Sequence, residues 1–154
     1  MTDLVRHRLD LLATRDERFG VRRHDAALDL GDMSPKYGCG QGTCGACTVT
    51  IDGATHLACL TLAETVQGRA VETAAGMANP ALHPLQEAFM AGFAAQCGYC
   101  TPGMLVSAKA LLDRNPTPTR DEVIEAISGN VCRCTGYEPI IAAILSVASG
   151  RARA

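Results

Sequence analysis

The stretch "YGCGQGTCGACT" (residues 37–48) holds three cysteines and four glycines within twelve residues. Glycine reaches backbone conformations that other residues avoid, so a stretch of this composition can turn tightly around a bound object. Such a loop also points backbone N–H groups inward, where they stabilise negative charge on thiolates and sulfides. The stretch therefore predicts a compact loop that carries a thiolate-bound metal centre.

A fourth cysteine completes this first group at a distance along the chain. The group has the spacing C-x4-C-x2-C-x11-C, and its members are Cys39, Cys44, Cys47 and Cys59. This is the order found in plant-type [2Fe–2S] ferredoxins. Structural zinc sites prefer cysteine pairs in two separate knuckles, so zinc fits this group poorly. We therefore predict that these four cysteines bind a [2Fe–2S] cluster.

A second group of four cysteines follows, and its members are Cys97, Cys100, Cys132 and Cys134. The first two lie in "QCGYCTPG" (96–103), just before a predicted helix, and the last two lie in "VCRCTGY" (131–137), just after another. Side chains alternate between faces in an extended segment, so both thiols of C-x-C face the same side. The two pairs can therefore grip one object from opposite sides. Spacing alone leaves a four-coordinate zinc ion open here beside a second [2Fe–2S] cluster.

Composition and charge argue against several classes of function. The net charge of −2 does not favour a surface that binds nucleic acid through its phosphates. Charges are spread through the first twenty residues, so we expect neither a signal peptide nor a membrane span there. The apolar run "IIAAILSVAS" (140–149) is too short to cross a bilayer, so no membrane insertion is expected. Without a secretory signal we expect a cytoplasmic location, where cysteine clusters bind metal more often than they form disulfides.

The first half of the chain is predicted to be rich in strands. Two strands are predicted on either side of Asp52-Gly53, a dipeptide typical of tight hairpin turns. A further short strand is predicted in "RAVETAAG" (69–76), and "HDAALDL" (24–30) predicts a short helix that ends at Gly31.

The second half is predicted to be helical, because its apolar residues recur three and four positions apart. The predicted apolar faces are Leu85, Ala88, Phe89 and Phe93; Met104, Leu105, Ala108, Leu111 and Leu112; Val123, Ile124 and Ile127; and Ile140, Ile141, Ile144, Leu145 and Ala148. Thr101 is the predicted N-cap of the second helix, with Pro102 at its first position. Thr119 and Glu122 fit a capping box at the third helix, and Pro139 starts the fourth.

Together these motifs resemble the small iron–sulfur subunit of the molybdenum hydroxylases, the family of xanthine oxidase and carbon monoxide dehydrogenase. The resembling stretches are "KYGCGQGTCGACTV" (36–49), "ACLTLA" (58–63), "HPLQEAF" (83–89), "QCGYCTPGM" (96–104), "NPTPTRDEV" (115–123) and "GNVCRCTGY" (129–137). They follow one another in order and cover residues 36–148 almost continuously. The family's two strands and helix before the glycine-rich loop fit the first thirty residues only loosely.

The resemblance implies an α+β fold with two domains. An N-terminal β-grasp ferredoxin-like domain, residues 1–76, would hold the first [2Fe–2S] cluster. A four-helix-bundle [2Fe–2S]-binding domain, residues 77–154, would hold the second. The eight cysteines would be the cluster ligands, and Gln96 and Cys134 would lie against a pterin cofactor.

The resemblance also implies that this chain transfers electrons and has no catalytic residue of its own. The substrate would be oxidised at molybdenum, which is held by molybdopterin on a large partner subunit. Electrons would pass through both clusters to FAD on a medium subunit or to another acceptor, with the helical-domain cluster nearest the pterin. The alternatives are a free-standing two-cluster electron carrier and a zinc-stabilised interaction module.

Overall fold

The fold is taken from a computed structural model, which describes residues 31–78 and 81–150. The helix predicted at residues 24–30 and the strands expected near the N-terminus lie outside the described residues. Gly31, the predicted end of that helix, has a left-handed φ of +76°.

Within residues 31–78, three short antiparallel strands form one sheet in the order β2-β1-β3. The strands are β1 (Thr48–Ile51), β2 (Ala54–Leu57) and β3 (Val71–Glu72). Asp52 and Gly53 join β1 to β2 with φ values of +50° and +81°, the left-handed conformation that a two-residue hairpin turn requires. The predicted hairpin and the predicted third strand are therefore confirmed.

Four α-helices follow the sheet in the described range 81–150, as the apolar periodicity predicts. They are α1 (Pro84–Ala91), α2 (Thr101–Arg114), α3 (Arg120–Ile127) and α4 (Glu138–Ala148). Helix α2 packs against both α3 and the central strand β1, so it links the helical part of the chain to the sheet. Helix α4 packs against α1 and α3 and closes the bundle.

Capping boxes begin two of these helices. The Thr119 hydroxyl accepts from the backbone N–H of Glu122 at 3.3 Å, and the Glu122 carboxylate accepts from that of Thr119 at 2.7 Å. Hydrogen bonds from the backbone and side chain of Thr119 lower the pKa of Glu122, which keeps its charge at the positive end of α3. His83 and Gln86 form the equivalent pair at α1, a cap that the sequence pattern did not reveal.

Four details of the predicted helices are wrong. Ile124, predicted on the apolar face of α3, is 41% exposed, and α4 begins at Glu138, so Pro139 is its second residue. Helix α2 begins at Thr101 with Cys100 as its N-cap, so Thr101 does not cap it and Pro102 is the second helical residue. Helix α1 ends at Ala91, because Phe93 adopts a left-handed conformation, in which its N–H donates to the carbonyl of Met90 at 3.3 Å and that of Ala94 to the carbonyl of Phe89 at 2.9 Å. Phe93 therefore lies beyond the helix with a φ of +51° and is 82% exposed instead of packing in the core.

Two apolar cores are buried within the described residues. The smaller core lies under the sheet and contains Cys47, Val49, Ile51, Ala58, Cys59 and Val66. The larger core fills the space between the helices and also takes in Cys132 and the 3-10 segment Ala74–Met77. The predicted division at residues 76 and 77 stays a prediction. Each core contains cysteines from one of the two groups, so burial of apolar surface and construction of the cysteine sites occur together.

Replacing Thr119 tests the cap of α3. Thr119→Ala removes the acceptor for an otherwise unpaired backbone N–H and should lower the free energy of unfolding by about 1 kcal/mol. Thr119→Ser should restore most of the loss, because serine provides the same oxygen. Urea denaturation followed by circular dichroism measures both effects. Thr117→Ala, in the exposed segment before the cap, is the matched control, and an equal loss there would contradict the assignment.

Candidate metal centres

The hairpin brings two cysteines of the first group together. Cys47 comes directly before β1, and Cys59 lies in the 3-10 turn Ala58–Leu60 that follows β2. The hydrogen bonding between β1 and β2 continues past the ends of the strands, since the N–H of Ala58 donates to the carbonyl of Cys47 at 3.2 Å. Both thiols are buried, and burial is the main cause that raises the pKa of Cys47 to about 11, with a further contribution from the Cys59 side chain.

The glycine-rich loop presents the other two cysteines of this group nearer to the surface. Cys39 and Cys44 are half-buried and hydrogen-bonded to each other. Hydrogen bonds from the Thr43 side chain and from the backbone N–H groups of Gln41 and Thr43 lower the pKa of Cys39 to about 5. The Thr43 N–H lies 3.3 Å from Cys39 Sγ. The loop therefore supplies the inward donors that its composition predicts, and these donors favour a thiolate.

The second group is assembled where two helices meet. Cys97 and Cys100 lie just before α2, and Cys132 and Cys134 lie just after α3. The Sγ atoms of Cys97 and Cys134 are 3.5 Å apart, and this pair is exposed. Cys100 and Cys132 form a deeper hydrogen-bonded pair, in which burial is the main cause that raises the pKa of Cys100 to about 12. The two thiols of C-x-C therefore face the same site, as predicted, and each meets one thiol of the other segment.

Hydroxyl groups that the sequence reasoning missed shape the loop around C-x-C. The Tyr137 hydroxyl accepts from the N–H of Cys132 at 2.9 Å and donates to the carbonyl of Asn130 at 3.2 Å. The Thr135 hydroxyl lies 3.1 Å from Cys132 Sγ. Burial, the largest single effect, opposes ionisation of Cys132, but hydrogen bonds from Thr135, Cys100 and Cys134 together lower the pKa of this thiol. Only the closeness of these residues to the cysteine pair hinted at such a role.

A single ion and a cluster make different demands on four thiolates. A tetrahedral ion with metal–sulfur bonds of about 2.3 Å would draw four thiolates to within about 3.8 Å of one another. Across residues 31–78 and 81–150, no three His, Cys, Asp or Glu side chains are placed to hold one metal ion. Each group instead forms two sulfur pairs. Two pairs fit a [2Fe–2S] cluster, in which each iron takes two protein ligands and sulfides bridge the irons.

Gln96 and Cys134, the predicted pterin contacts, are both exposed. Gln96 directly precedes Cys97, the thiol that pairs with Cys134. Its side-chain amide forms no hydrogen bond to any other described residue. Both residues therefore belong to the same open edge of the second site, while the contact with pterin stays a prediction.

A tyrosine hydrogen bond connects the two cysteine-bearing regions. The Tyr99 hydroxyl donates to the carbonyl of Tyr37 at 2.7 Å. Both rings are half exposed, so they cover the neighbouring loops only in part. The bond ties the segment of Cys97 and Cys100 to the start of the glycine-rich loop.

Two protein-family models match the chain. One, described as a 2Fe-2S iron-sulfur cluster binding domain, matches residues 26–90, and the other, a [2Fe-2S] binding domain, matches residues 71–145. No helix within the described ranges has the length and apolar character needed to span a membrane.

Relatives and solved structures agree with these matches. The nicotine 6-hydroxylase small subunit of Paenarthrobacter nicotinovorans is 56% identical over 110 residues, which are 71% of this chain and 67% of that protein. The nicotinate dehydrogenase small FeS subunit of Eubacterium barkeri is 50% identical over 119 residues, 75% of this chain and 74% of that protein. The crystal structure of quinoline 2-oxidoreductase from Pseudomonas putida 86 has a matching chain with a TM-score of 0.79 and 46% identity. That match covers 90% of this chain and 86% of the other.

The Tyr137 hydroxyl offers a test of the second site. Tyr137→Phe removes two hydrogen bonds from the loop around Cys132 and should lower the free energy of unfolding by about 1 kcal/mol. The same change should make the protein lose iron faster to a chelator, because the loop is held less firmly. Tyr99→Phe removes a half-exposed hydroxyl with one partner and should have the smaller effect on both measurements. Equal iron-release rates in the two variants would contradict this role of Tyr137.

Proposed function

Because the chain belongs to the small [2Fe–2S] subunits of the molybdenum hydroxylases, we propose that it carries electrons between partner subunits and holds no substrate site. The observation that carries the proposal is the presence of two sites, each built from two cysteine pairs. A [2Fe–2S] cluster accepts and releases one electron at a time. Two such clusters in one chain provide a relay over a distance that a single cluster does not cover.

We assign the ligands from the pairs. In the first cluster, Cys39 and Cys44 would bind one iron, and Cys47 and Cys59 would bind the other. The second cluster is divided in the same way, between the pair Cys97 and Cys134 and the pair Cys100 and Cys132. The 3.5 Å contact between the Sγ atoms of Cys97 and Cys134 supports this division, as do the side-chain interactions of Cys39 with Cys44, of Cys47 with Cys59 and of Cys100 with Cys132.

Electrons are proposed to enter at the exposed edge of the second site. Electron transfer slows steeply with distance, so a partner centre must approach the thiols that the chain leaves open. Cys97 and Cys134 are the exposed pair, and Gln96 beside them offers an amide, unpaired among the described residues, for hydrogen bonds to a polar ring. We therefore place the molybdopterin of a large subunit against Gln96 and Cys134.

Electrons are proposed to leave from the first site toward FAD on a medium subunit or another acceptor. Cys39 and Cys44 are less buried than Cys47 and Cys59, so the acceptor approaches the glycine-rich loop.

Three similar proteins are named for nicotine, nicotinate and quinoline, which are all nitrogen-containing aromatic rings. We propose that the complex of this chain also acts on an N-heteroaromatic substrate, bound on the large subunit. We also propose a cytoplasmic location, in keeping with cysteine groups spaced for metal binding in a reducing compartment.

A free-standing carrier of electrons is the second candidate. A free carrier needs only the first site with its sheet, which would hold one cluster. The carrier model therefore does not explain the helical part of the chain or the exposed thiols of Cys97 and Cys134. Purification distinguishes the two, because a free carrier elutes near its own mass of 16.2 kDa. We expect elution with two larger chains, and identification of a molybdopterin-binding partner by mass spectrometry.

Metal analysis tests the number and type of the clusters. We expect about four iron atoms and about four acid-labile sulfides per chain, as two [2Fe–2S] clusters require. EPR spectra of the reduced protein should show two distinct signals. Stoichiometric zinc or a single iron–sulfur signal would refute the two-cluster assignment.

Serine variants test which cluster receives the electrons. Cys134→Ser should damage the second cluster, leave the EPR signal of the first, and slow the reduction of the acceptor by substrate in the complex. Cys39→Ser is the matched variant and should damage the first cluster while the second is still reduced by substrate. Loss of the first cluster's signal in Cys134→Ser would show that the groups are assigned wrongly.

A further inference from the structure

The side chain of Asn130 lies at the contact between the two cysteine-bearing regions and is 3% exposed. Its Nδ2 donates to the carbonyl of Gly45 at 2.9 Å and to the hydroxyl of Thr48 at 3.2 Å. Its Oδ1 accepts from the hydroxyl of Ser107 at 2.8 Å. One buried amide therefore connects the glycine-rich loop, strand β1 and helix α2. We call these four residues, Gly45, Thr48, Ser107 and Asn130, the amide joint.

The backbones at the amide joint approach so closely that side chains are excluded. A Cβ atom on Gly103 would overlap the carbonyl oxygen of Gly45. A Cβ atom on Gly45 would overlap the carbonyl oxygen of Gly129, and Gly45 has a left-handed φ of +68°. Helix α2 and the loop before Val131 are thus seated directly on the glycine-rich loop.

The residue after Asn130 connects the two cysteine groups. The N–H of Val131 donates to the carbonyl of Cys44 at 2.8 Å. Cys44 belongs to the first group, and Val131 is followed by Cys132 of the second. A single hydrogen bond therefore joins a backbone that carries a thiol of one site to a backbone that carries a thiol of the other.

We propose that Asn130 is a positioning residue that fixes the separation of the two [2Fe–2S] clusters by holding the Cys44–Val131 hydrogen bond closed. The proposal rests on the two-cluster function. An amide suits this position because it donates and accepts at once. Aspartate has the same shape but only accepts, so its carboxylate would face the carbonyl of Gly45 without a hydrogen. A buried repulsion of this kind is relieved by moving the loop away from α2.

The test is Asn130→Asp in the full chain, purified with its partners. In the fully reduced protein, the magnetic interaction between the two cluster spins splits their EPR signals and weakens with the cube of their distance. We expect this splitting to shrink while both signals remain. Exchange of the Val131 amide for deuterium should accelerate about tenfold, as loss of one hydrogen bond predicts.

Gly103→Ala tests the same contact from the helix side. Alanine favours a helix more than glycine does, so separation of the sites in this variant cannot come from a weaker α2. If Asn130→Asp does not bind both clusters, the EPR splitting of Gly103→Ala tests the positioning role in its place. Asn115→Asp is the matched control: it makes the same chemical change at the end of α2 and should lower stability while leaving the splitting as in the wild type.

The outcomes separate this proposal from the proposed function. Wild-type splitting in both Asn130→Asp and Gly103→Ala, with both signals present, would overturn the positioning role and leave the electron-transfer function intact. Absence of two [2Fe–2S] signals from the unmodified chain would refute the function itself. In that case an unchanged exchange rate of the Val131 amide in Asn130→Asp would refute the positioning role independently.

Discussion

Four thiolates repel one another, yet they must converge on one small object at two places in this chain. No single helix or strand can supply them, so each site draws on segments that are distant in sequence. The hairpin returns the chain so that Cys59 lies beside Cys47, and two helix ends bring Cys97 and Cys100 to Cys132 and Cys134. The turn at Asp52-Gly53 and the caps of the helices therefore matter chiefly because they determine where sulfur atoms meet.

Both cysteine sites combine a buried pair of thiols with a pair nearer to the surface. Each has a deeper cysteine pair, where burial raises the pKa of Cys47 to about 11 and of Cys100 to about 12. Each also has a shallower pair nearer to solvent. Because only thiolates bind metal, assembly must displace protons from the deep thiols, so cluster binding and folding are coupled. The deep pair anchors the site in a core, and the shallow pair leaves one edge accessible to another redox centre.

The sequence predicted the features that depend on local chemistry, and it failed where the outcome depends on contacts between distant segments. Cysteine spacing, the Asp52-Gly53 turn and the Thr119 capping box are local, and the turn and the cap were confirmed. Phe93 continued an apolar period, but the turn at Gly92 ended the helix before it. Asn130 lies within the resembling stretch 129–137, but its hydrogen-bonding role gave no signal, because its partners lie as far away as Gly45 and these contacts exist only after the two regions have packed together.

The amide joint contributes specificity more than stability. A buried amide with every hydrogen bond made offsets its own desolvation and leaves only a modest net gain. It is satisfied in one arrangement only, however, and any shift of α2 against the glycine-rich loop leaves donors unpaired. An apolar contact of the same size would tolerate sliding. A chain that relays electrons requires a fixed distance between its two centres. Directional hydrogen bonds provide that distance at a contact where glycines let the two backbones approach closely.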